Sequence, residues 1–469
     1  MSGENVRSAL HMLRVCAVVA LSVFISTAAY AGQNEKWAAA WTSAMNGAYS
    51  PLPAPLALDN QPDLSFALPK AASDGAASQT FRAIVKPDIW GDKVRIRFSN
   101  LYGEKAVCFS GVTVGLQEHG ANVVPGTITR VTFNGGSAGL SMKPGERVFS
   151  DPIQLKFVQP ASKQLLEGRN LAISYAVNES TGPMTYHHFA LTTSYISPPG
   201  FGDHSRDESD TAFPYTTTSW FFVDAVDVQV SHDVAVVVVV GDSITDGVFS
   251  TVNGNDRWSN FLSGRLHRAH KDRISVVNQA IAGNRVTPEN PARTSVSDDA
   301  STPIANAPLV DRLERDVLDV SGVTAVVLLE GINDLGSEVR PESIIEAYKE
   351  LVRRLHSARI KVIGCTIVSS YKPKEEMINF DRPADAGFII SKESDAWRRR
   401  VNTFIKTSGL FDSVADMDAA TLDIESGALR AEYIPNSTVV GTPLRDFIHP
   451  NRAGLQAMAQ AIDISALGP

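Results

Sequence analysis

One serine and a distant aspartate–histidine pair have the residue types and the setting that catalysis requires. Ser243 lies in the segment GDSITDG (241–247), directly after a run of valines. Asp446 and His449 lie three positions apart in the segment DFIHP (446–450). A serine hydroxyl becomes a useful nucleophile when a histidine removes its proton, and a carboxylate holds that histidine in the required tautomer. The three residues therefore predict a catalytic triad for acyl transfer.

Two further residues are suited to bind the negative charge that develops in such a reaction. Gly283, in AIAGNRV (280–286), offers its backbone N–H, and Asn333, in GIND (331–334), offers its side-chain amide. With the backbone N–H of Ser243 they predict an oxyanion hole.

Each of these residues also has an ordinary structural interpretation when it is taken alone. Ser243 and Asp446 resemble helix caps, Gly283 and Asn333 resemble turn residues, and His449 resembles a surface histidine before a helix. Their joint occurrence, each directly after a predicted strand or before the last helix, favours the catalytic interpretation.

The segments that carry these residues alternate between strand and helix patterns. Val234–Val240 is almost entirely valine, which is typical of a strand buried on both faces. Further strands are predicted at Ile274–Ile281, Thr324–Leu329, Lys361–Val368 and Phe411–Met417. Helices are predicted around Trp258–Leu266, Leu309–Leu318, Ile344–Leu355, Ala396–Ile405 and Arg452–Ile462. This alternation predicts a parallel, doubly wound sheet, in which ligands bind at the carboxyl ends of the strands.

The preceding part of the chain has a different period. From Lys36 to about His232 apolar and polar residues alternate in short runs separated by Gly, Pro, Asn or Ser. The runs are Thr80–Val85, Lys93–Phe98, Ala106–Leu116, Thr127–Phe133, Arg147–Phe157, Asn170–Val177, Phe189–Ile196 and Trp220–Val230. They predict an antiparallel β-sandwich or a jelly roll.

A second serine lies in a string that matches a known nucleophile motif. Ser137 is the centre of GGSAG (135–139), but that motif requires a buried strand before it and a helix after it. Here the string lies in a glycine cluster between β-patterned segments, so we predict a hairpin turn and no catalytic role.

The first thirty-one residues predict export. Arg7 and Arg14 precede the apolar run Val15–Thr27 and the small-residue motif Ala29-Tyr30-Ala31. The run is shorter than the ~20 residues that span a bilayer as a helix, so we predict a signal peptide cleaved near Ala31 rather than a membrane anchor. The expected location is extracellular or periplasmic, with no stable membrane insertion after cleavage.

Composition and cysteine spacing exclude several classes of function. The chain of 469 residues has a net charge of −8 and no basic block, which disfavours nucleic-acid partners. Cys108 and Cys365 fall in different predicted domains, and Cys365 lies in the apolar run Val362–Val368, where a buried free thiol is favoured over a disulfide. His187 and His188 have no cysteine or carboxylate that completes a metal-ligand set, and we predict that they are strand residues. The sequence carries no signal of oligomeric state.

In this order, GDSITDG, the AIAGNRV glycine, GIND and DFIHP resemble the sequence blocks of the SGNH, or GDSL-type, serine hydrolases. The family name gives the serine, glycine, asparagine and histidine that Ser243, Gly283, Asn333 and His449 match, and Asp446 matches the aspartate before the histidine. The stretches LLEGINDLG and HPNRAGLQAMAQAID are similar to a secreted branch with an N-terminal β-domain.

The resemblance implies a flavodoxin-like three-layer α/β/α fold and ester hydrolysis without metal or other cofactor. The N-terminal pattern and the change of period near residue 233 predict a signal peptide (1–31), an N-terminal β-sandwich domain (32–232) and a hydrolase domain (233–469). One departure is Phe447 and Ile448, which lie where smaller residues are common.

The predicted function is hydrolysis of carboxylic esters, with removal of acetyl or other short acyl groups from a carbohydrate as the main expectation. Small ester substrates are the other expected partners. Alternatives are a lysophospholipase or arylesterase, and a catalytically silent carbohydrate-binding surface protein. Four tryptophans in the N-terminal part either stack on sugar rings or, as we favour, pack in the core or at a domain interface: Trp37, Trp41, Trp90 and Trp220.

Overall fold

The computed structural model describes residues 35–49, 61–288, 306–371, 391–437 and 444–468. The predicted signal peptide, with Cys16, lies outside these residues. Within them the chain forms an N-terminal region of antiparallel sheets and a C-terminal region with a parallel sheet and helices.

The N-terminal region, up to residue 231, contains fifteen described strands. They are β1 (Glu35–Thr42), β2 (Gly47–Ala48), β3 (Gln79–Val85), β4 (Lys93–Ser99), β5 (Val107–Leu116), β6 (Thr129–Arg130), β7 (Leu140–Met142), β8 (Arg147–Phe149), β9 (Ile153–Gln154), β10 (Leu171–Val177), β11 (Thr185–His187), β12 (Ser194–Ile196), β13 (Tyr215–Thr217), β14 (Trp220–Phe221) and β15 (Val223–Ser231). A short 3₁₀ helix covers Lys163–Leu166.

These strands form three antiparallel sheets. One has the order β1-β15-β4-β8 with β9 beside β4, and the second has the order β13-β12-β3-β10-β5-β6 with β7 beside β5. The third is β14-β11-β2. The prediction of antiparallel strands in this region is therefore confirmed.

Arginines in the alternating strand β4 are paired with carboxylates of the neighbouring strand. Arg97 lies 2.7 Å from Asp224, and Arg95 lies 2.8 Å from Asp227. Both aspartates are buried in β15, and a buried carboxylate needs a charged or hydrogen-bonded partner of this kind. The arginines that alternate with apolar residues in β4 thus form ion pairs within the fold.

The C-terminal region is built on five parallel strands. They are β16 (Ala235–Gly241), β17 (Ile274–Asn278), β18 (Val323–Leu329), β19 (Lys361–Cys365) and β20 (Ser413–Ala415), in the order β17-β16-β18-β19-β20. Every residue of β16 is buried, as the valine run predicts for a central strand covered on both faces. Two short strands, β21 (Asn436–Ser437) and β22 (Leu444–Arg445), form a separate antiparallel pair.

Helices connect and flank these strands. The α-helices are α1 (Ser243–Asp246), α2 (Trp258–His270), α3 (Leu309–Leu313), α4 (Ile332–Gly336), α5 (Pro341–Ser357), α6 (Lys392–Thr407), α7 (Met417–Thr421) and α8 (Arg452–Gln460). A π-helix continues α3 over Glu314–Leu318, and short 3₁₀ helices cover Lys271–Arg273, Ala431–Tyr433 and Ile464–Leu467. The predicted three-layer α/β architecture is confirmed.

Several strands are shorter than their sequence patterns predict. The pattern at Thr127–Phe133 yields only β6, and that at Phe189–Ile196 yields only β12. Leu191 has a φ of 48°, which a strand excludes, and its carbonyl accepts a hydrogen bond from Asn253 of the C-terminal region. Contact with the C-terminal region therefore replaces pairing within a sheet there.

Three of the four tryptophans pack inside the protein. Trp41, Trp90 and Trp220 are each less than 9% exposed, and the Trp41 and Trp220 rings meet edge to face at 4.8 Å. The partly exposed Trp37 lies against the guanidinium of Arg95. The core or interface interpretation is confirmed for the three buried rings.

The described part of the chain also contains two free cysteines and the serine of GGSAG. Cys108 is an exposed free thiol and Cys365 is a buried one, so no disulfide joins them. Ser137 is exposed in a turn, where its N–H donates to the carbonyl of Phe133. Among the described helices, none has the length and apolar composition needed to span a membrane.

The two regions share one apolar core and several hydrogen bonds. The N–H of Ala39 in β1 donates to the carbonyl of Ser321 at 2.9 Å, and the hydroxyl of Ser275 in β17 donates to the Ala39 carbonyl at 2.7 Å. The N-terminal region therefore packs directly on an edge of the parallel sheet.

Candidate active site

The strand β16 delivers Ser243 to the carboxyl edge of the parallel sheet. Asp242 caps the following helix, since its Oδ1 accepts the Ile244 N–H at 2.9 Å. Gly241 has no room for a side chain, because a Cβ there would lie 2.3 Å from the carbonyl oxygen of Leu329. The short helix α1 then ends at Gly247, whose φ of 101° suits glycine. Ser243 is thus held at a tight strand-to-helix turn.

Ser243, His449 and Asp446 are joined by two hydrogen bonds. The Nε2 atom of His449 lies 2.8 Å from the Oγ atom of Ser243, and its Nδ1 atom lies 2.8 Å from Oδ2 of Asp446. The other carboxylate oxygen of Asp446 accepts the backbone N–H groups of Ile448 and His449, at 2.8 and 2.7 Å. The structure therefore brings the three predicted triad residues together in the order that proton transfer requires.

The electrostatic surroundings make the imidazole of His449 more basic than usual. Burial opposes its protonation, but the charge and hydrogen bond of Asp446, together with the charge of Asp242, outweigh that effect. The pKa of His449 is therefore raised above its usual value of 6.5. Burial opposes the charge of Asp446 in the same way, yet its bonds with His449 and the backbone lower the pKa of that carboxyl. His449 can therefore accept the proton of Ser243, and the ionised carboxylate of Asp446 holds the imidazole in its orientation.

Two of the predicted oxyanion residues, Gly283 and Asn333, lie in segments that contact each other. Gly283 is exposed and has a φ of 75°, and Asn333 lies near the start of α4. The amide of Asn333 donates to the carbonyl of Asn284 at 2.9 Å. This bond orients the side chain. Because a primary amide has two N–H groups, a second N–H can donate to an oxyanion. Asn333 is therefore tied to the loop of Gly283.

Asp334, which sequence analysis did not single out, anchors the same loop. Its side chain is fully buried and accepts the N–H groups of Val286 and Thr287, each at 3.0 Å. It also accepts the Thr287 hydroxyl at 2.7 Å. Asp334 follows Asn333 directly in GIND, so its position just after a predicted strand was the sequence signal that could have identified it. One motif thus supplies a candidate oxyanion donor and the carboxylate that anchors the loop beside it.

Two more buried acids lie beneath the candidate site. Burial raises the pKa of Asp242 to about 7, against the hydrogen bond from Ile244 and the charge of His449. Burial also raises the pKa of Glu330, which directly follows β18, and the charge of Asp242 acts in the same direction. Within the described chain neither side-chain oxygen of Glu330 has a hydrogen-bond partner. The protonated form of Glu330 is therefore favoured.

Bulky side chains flank the histidine. The ring of Phe249 lies 5.9 Å from the imidazole of His449 between centroids, and its φ of 65° is unusual for a large residue. Phe447 and Ile448, between the two triad members, are both buried. Phe249 was not predicted from the sequence, since only its contact with His449 distinguishes it.

The two neighbouring histidines His187 and His188 were considered above as a possible metal site. In the part of the chain that is described, no three His, Cys, Asp or Glu side chains are grouped as metal ligands would be. His187 ends β11 and contacts Asp246, a single carboxylate.

Solved structures with likeness to this chain have low sequence identity. An aryl esterase of M. smegmatis is 13% identical, with 50% of this chain and 99% of that chain covered and a TM-score of 0.35. An acetylxylan esterase from Geobacillus stearothermophilus, solved as a catalytic mutant, is 20% identical, with coverages of 50% and 94% and a TM-score of 0.33. A GDSL-like lipase from Bacteroides thetaiotaomicron is 16% identical, with coverages of 49% and 87% and a TM-score of 0.31.

Part of the C-terminal region is similar in sequence to a known protein family. No curated protein matches the chain. Residues 239–457 match the sequence profile of the GDSL-like Lipase/Acylhydrolase family. This segment contains GDSITDG, the Gly283 loop, GIND and DFIHP, and it spans β16 to α8. The chain therefore contains a segment that is similar to the GDSL-like Lipase/Acylhydrolase family over these residues.

Proposed function

We propose that this protein is a secreted serine esterase in which Ser243, His449 and Asp446 form the catalytic triad. The observation that carries the proposal is the continuous pair of 2.8 Å hydrogen bonds from Ser243 through His449 to Asp446. A silent binding protein on the same fold would need none of these contacts, so their presence favours an enzyme.

In the first half of the reaction the Oγ atom of Ser243 attacks the carbonyl carbon of the ester. His449 Nε2 accepts the serine proton, and Asp446 stabilises the resulting imidazolium. When the tetrahedral intermediate collapses, the C–O bond to the alcohol breaks and His449 returns the proton to that leaving oxygen. The acyl group remains bound to Ser243.

In the second half a water molecule replaces the alcohol. His449 removes a proton from the water, the hydroxide attacks the acyl carbon, and the acid is released as Ser243 regains its proton. In both halves the negative oxygen is stabilised by the backbone N–H groups of Ser243 and Gly283 and by the amide of Asn333. The N-terminus of α1 adds a favourable partial charge beside that oxygen.

For the substrate we propose a short acyl ester, chiefly an acetyl group on a carbohydrate. Two observations support this choice: the resemblance of the sequence to a secreted branch of the family, and the ring of Phe249, which lies 5.9 Å from the imidazole of His449 between centroids. A lysophospholipase or arylesterase is the alternative, and the former would need room for a long acyl chain. We further propose a signal peptide at 1–31, a β-domain at 32–232 and the hydrolase domain at 233–469.

An organophosphonate probe tests the proposed nucleophile. We expect the mature protein to gain one phosphonyl group on Ser243, detected by mass spectrometry, and to lose its esterase activity in step with labelling. Ser243→Ala should take up no label and should retain the thermal unfolding of the wild type. Ser137→Ala, at the exposed turn serine, is the matched control and should label normally. Labelling that persists in Ser243→Ala would contradict the assignment.

A substrate panel separates the proposed substrate from its alternatives. Acetylated xylan, pectin and chitooligomers would be compared with lysolipids and aryl esters by the acid that each releases. Release of acetate from a polysaccharide at the highest kcat/KM supports the proposal. A preference for a lysolipid supports the alternative, and no release from any ester would support the silent binding protein.

A further inference from the structure

One segment of the N-terminal region runs along the loop that follows the candidate nucleophile. We call residues 187–193 the N-terminal clamp and residues 246–257 the nucleophile loop. The side chain of Arg257 donates to the carbonyls of Phe189 and Ala190 at 2.9 and 2.8 Å. The N–H of Asn253 donates to the carbonyl of Leu191 at 2.9 Å. The backbone of the clamp is therefore bound to the loop at three points.

Side chains add further bonds between the same two segments. Thr193 and Asn253 exchange two hydrogen bonds of 2.8 Å, one from the Thr193 N–H and one from the Asn253 amide. At the other end of the clamp, Nε2 of His187 lies 3.1 Å from Oδ1 of Asp246, the last residue of α1. The clamp thus holds the nucleophile loop from its first residue to its last.

His187 is built into this contact and has little freedom to move. Its side chain is buried, its ring stacks on Trp220 at 5.6 Å, and its Nδ1 donates to the carbonyl of Ala44 at 2.7 Å. Because a carbonyl oxygen only accepts, Nδ1 carries a hydrogen. The Oδ1 atom of the Asp246 carboxylate also only accepts, so Nε2 donates a second hydrogen to it.

Asp246 connects His187 to the candidate oxyanion hole. While its Oδ1 meets His187, its Oδ2 accepts the N–H of Ala282 at 3.0 Å. Ala282 directly precedes Gly283, so this bond sets the position of the peptide whose N–H belongs to Gly283. A single buried carboxylate therefore joins the N-terminal clamp to the Gly283 loop.

We propose that His187 is a positioning residue for the reaction, and that the N-terminal region thereby completes the active site. Acting through Asp246, His187 holds the Gly283 N–H where the oxyanion forms. The inference rests on the proposed function. It gives the N-terminal region a role in the rate of the chemical step, in addition to any binding of substrate.

The size of the expected effect follows from the oxyanion hole. Removal of a whole oxyanion donor lowers kcat by ~10²–10³. Displacement of a donor lowers kcat by a smaller factor. We expect loss of the His187–Asp246 bond to lower kcat by about tenfold or more, with KM for a short ester changed by less than about threefold, because the interaction acts on the transition state.

Two substitutions at position 187 separate the bond to Asp246 from simple packing. The amide nitrogen of asparagine matches Nδ1 of histidine, so His187→Asn keeps a donor for Ala44 and loses the bond to Asp246. The longer glutamine matches Nε2, so His187→Gln keeps the bond to Asp246. We expect the kcat loss in His187→Asn and recovery to within about threefold of wild type in His187→Gln.

A second histidine provides a matched control. His267 in α2 contacts Asp88 of the N-terminal region at 3.0 Å through Nε2, and its Nδ1 meets the carbonyl of Lys271 at 2.8 Å. Asp88 also accepts the N–H of Val276, so this pair repeats the chemistry of His187 and Asp246 but is bonded to strand β17 and not to the Gly283 loop. His267→Asn should therefore leave the activity of each folded molecule unchanged.

The measurement is kcat per active site in the full mature chain, with sites counted by complete phosphonate labelling. A merely structural role would reduce the number of labelled sites and leave kcat per site unchanged. The proposed role lowers kcat per site, and it slows labelling in parallel because the phosphonyl oxygen uses the same donors.

The outcomes are distinct. Loss in His187→Asn with recovery in His187→Gln supports the inference. Unchanged kcat per site in His187→Asn, or an equal loss in His267→Asn, would overturn it while the proposed function stands. A wild-type protein that neither labels nor hydrolyses an ester would overturn the proposed function and this inference with it.

Discussion

The imidazole of His449 lies 2.8 Å from the hydroxyl of Ser243, although 206 positions of sequence separate the two residues. Ser243 follows the central strand β16, and His449 directly precedes the last helix, α8. Their contact therefore depends on the return of the chain to the carboxyl edge of the sheet.

The pH dependence of hydrolysis should reflect the raised pKa of His449. The neutral imidazole is the base, so kcat/KM should be at its maximum above this pKa and fall as the pH decreases through it. Since the pKa lies above 6.5, the midpoint of the acid limb should also lie above that value. Profiles from about pH 5 to 9 with a short ester measure it, and a midpoint well below 6.5 would contradict the assignment.

Asp446→Asn tests the cause of that shift. The substitution removes the negative charge and the carboxylate hydrogen bond that raise the pKa of His449, so the acid limb should move to lower pH. The rate should also fall by about 10⁴-fold, because asparagine does not favour the required imidazole tautomer. A purely structural Asp446 would leave the midpoint where it is in the wild type.

Asn333→Ala tests the candidate oxyanion hole. We expect kcat to fall by ~10²–10³ with little change in KM, because the amide donates to the oxygen only after negative charge develops on it. The substitution also removes the bond to the Asn284 carbonyl, so thermal unfolding is measured in parallel. A decrease in kcat below about threefold would exclude Asn333 as a donor.

Asp334→Ala should destabilise the protein. Three buried donors, the N–H groups of Val286 and Thr287 and the Thr287 hydroxyl, would lose their acceptor. Because each unsatisfied buried group costs ~1–3 kcal/mol, we expect the free energy of unfolding in urea to fall by at least about 3 kcal/mol. Thr287→Val, which removes only the hydroxyl donor, should cost about 1 kcal/mol. Equal stability of the two variants would contradict this role for Asp334.

Phe249→Ala should widen the range of acyl groups. Removal of the ring beside His449 opens space at the reacting carbon, so the ratio of kcat/KM for an octanoyl ester to that for an acetyl ester should rise by about tenfold or more. Phe201→Ala, at an exposed ring of the N-terminal region, is the control and should leave the ratio unchanged. An unchanged ratio in Phe249→Ala would show that this ring does not line the acyl subsite.

Much of the secondary structure could be predicted because periodicity reports burial. The valine run of β16 is buried throughout, and the strict alternation of β4 corresponds to a strand of an antiparallel sheet. The strand predicted at Phe189–Ile196 is wrong over its first five residues, because this part of the chain binds the nucleophile loop instead of a strand. Local alternation carries no information about such a partner.

The sequence by itself determined which chemical groups are present and on which kinds of element they lie. A serine at a strand end, an asparagine in GIND and a histidine three positions after an aspartate specify an acyl-transfer chemistry before any coordinates are known. This is possible because side-chain chemistry and local periodicity are properties of short segments.

Only the tertiary structure decided which of these groups meet and what else supports them. The hydrogen bond between Ser243 and His449, the anchoring of a loop by Asp334, and the contact of His187 with Asp246 all join separate elements. Such contacts depend on sheet order and on the packing of one region against another. The hydrophobic periodicity of a short segment does not encode these contacts, because the partners become neighbours only when the whole chain has folded.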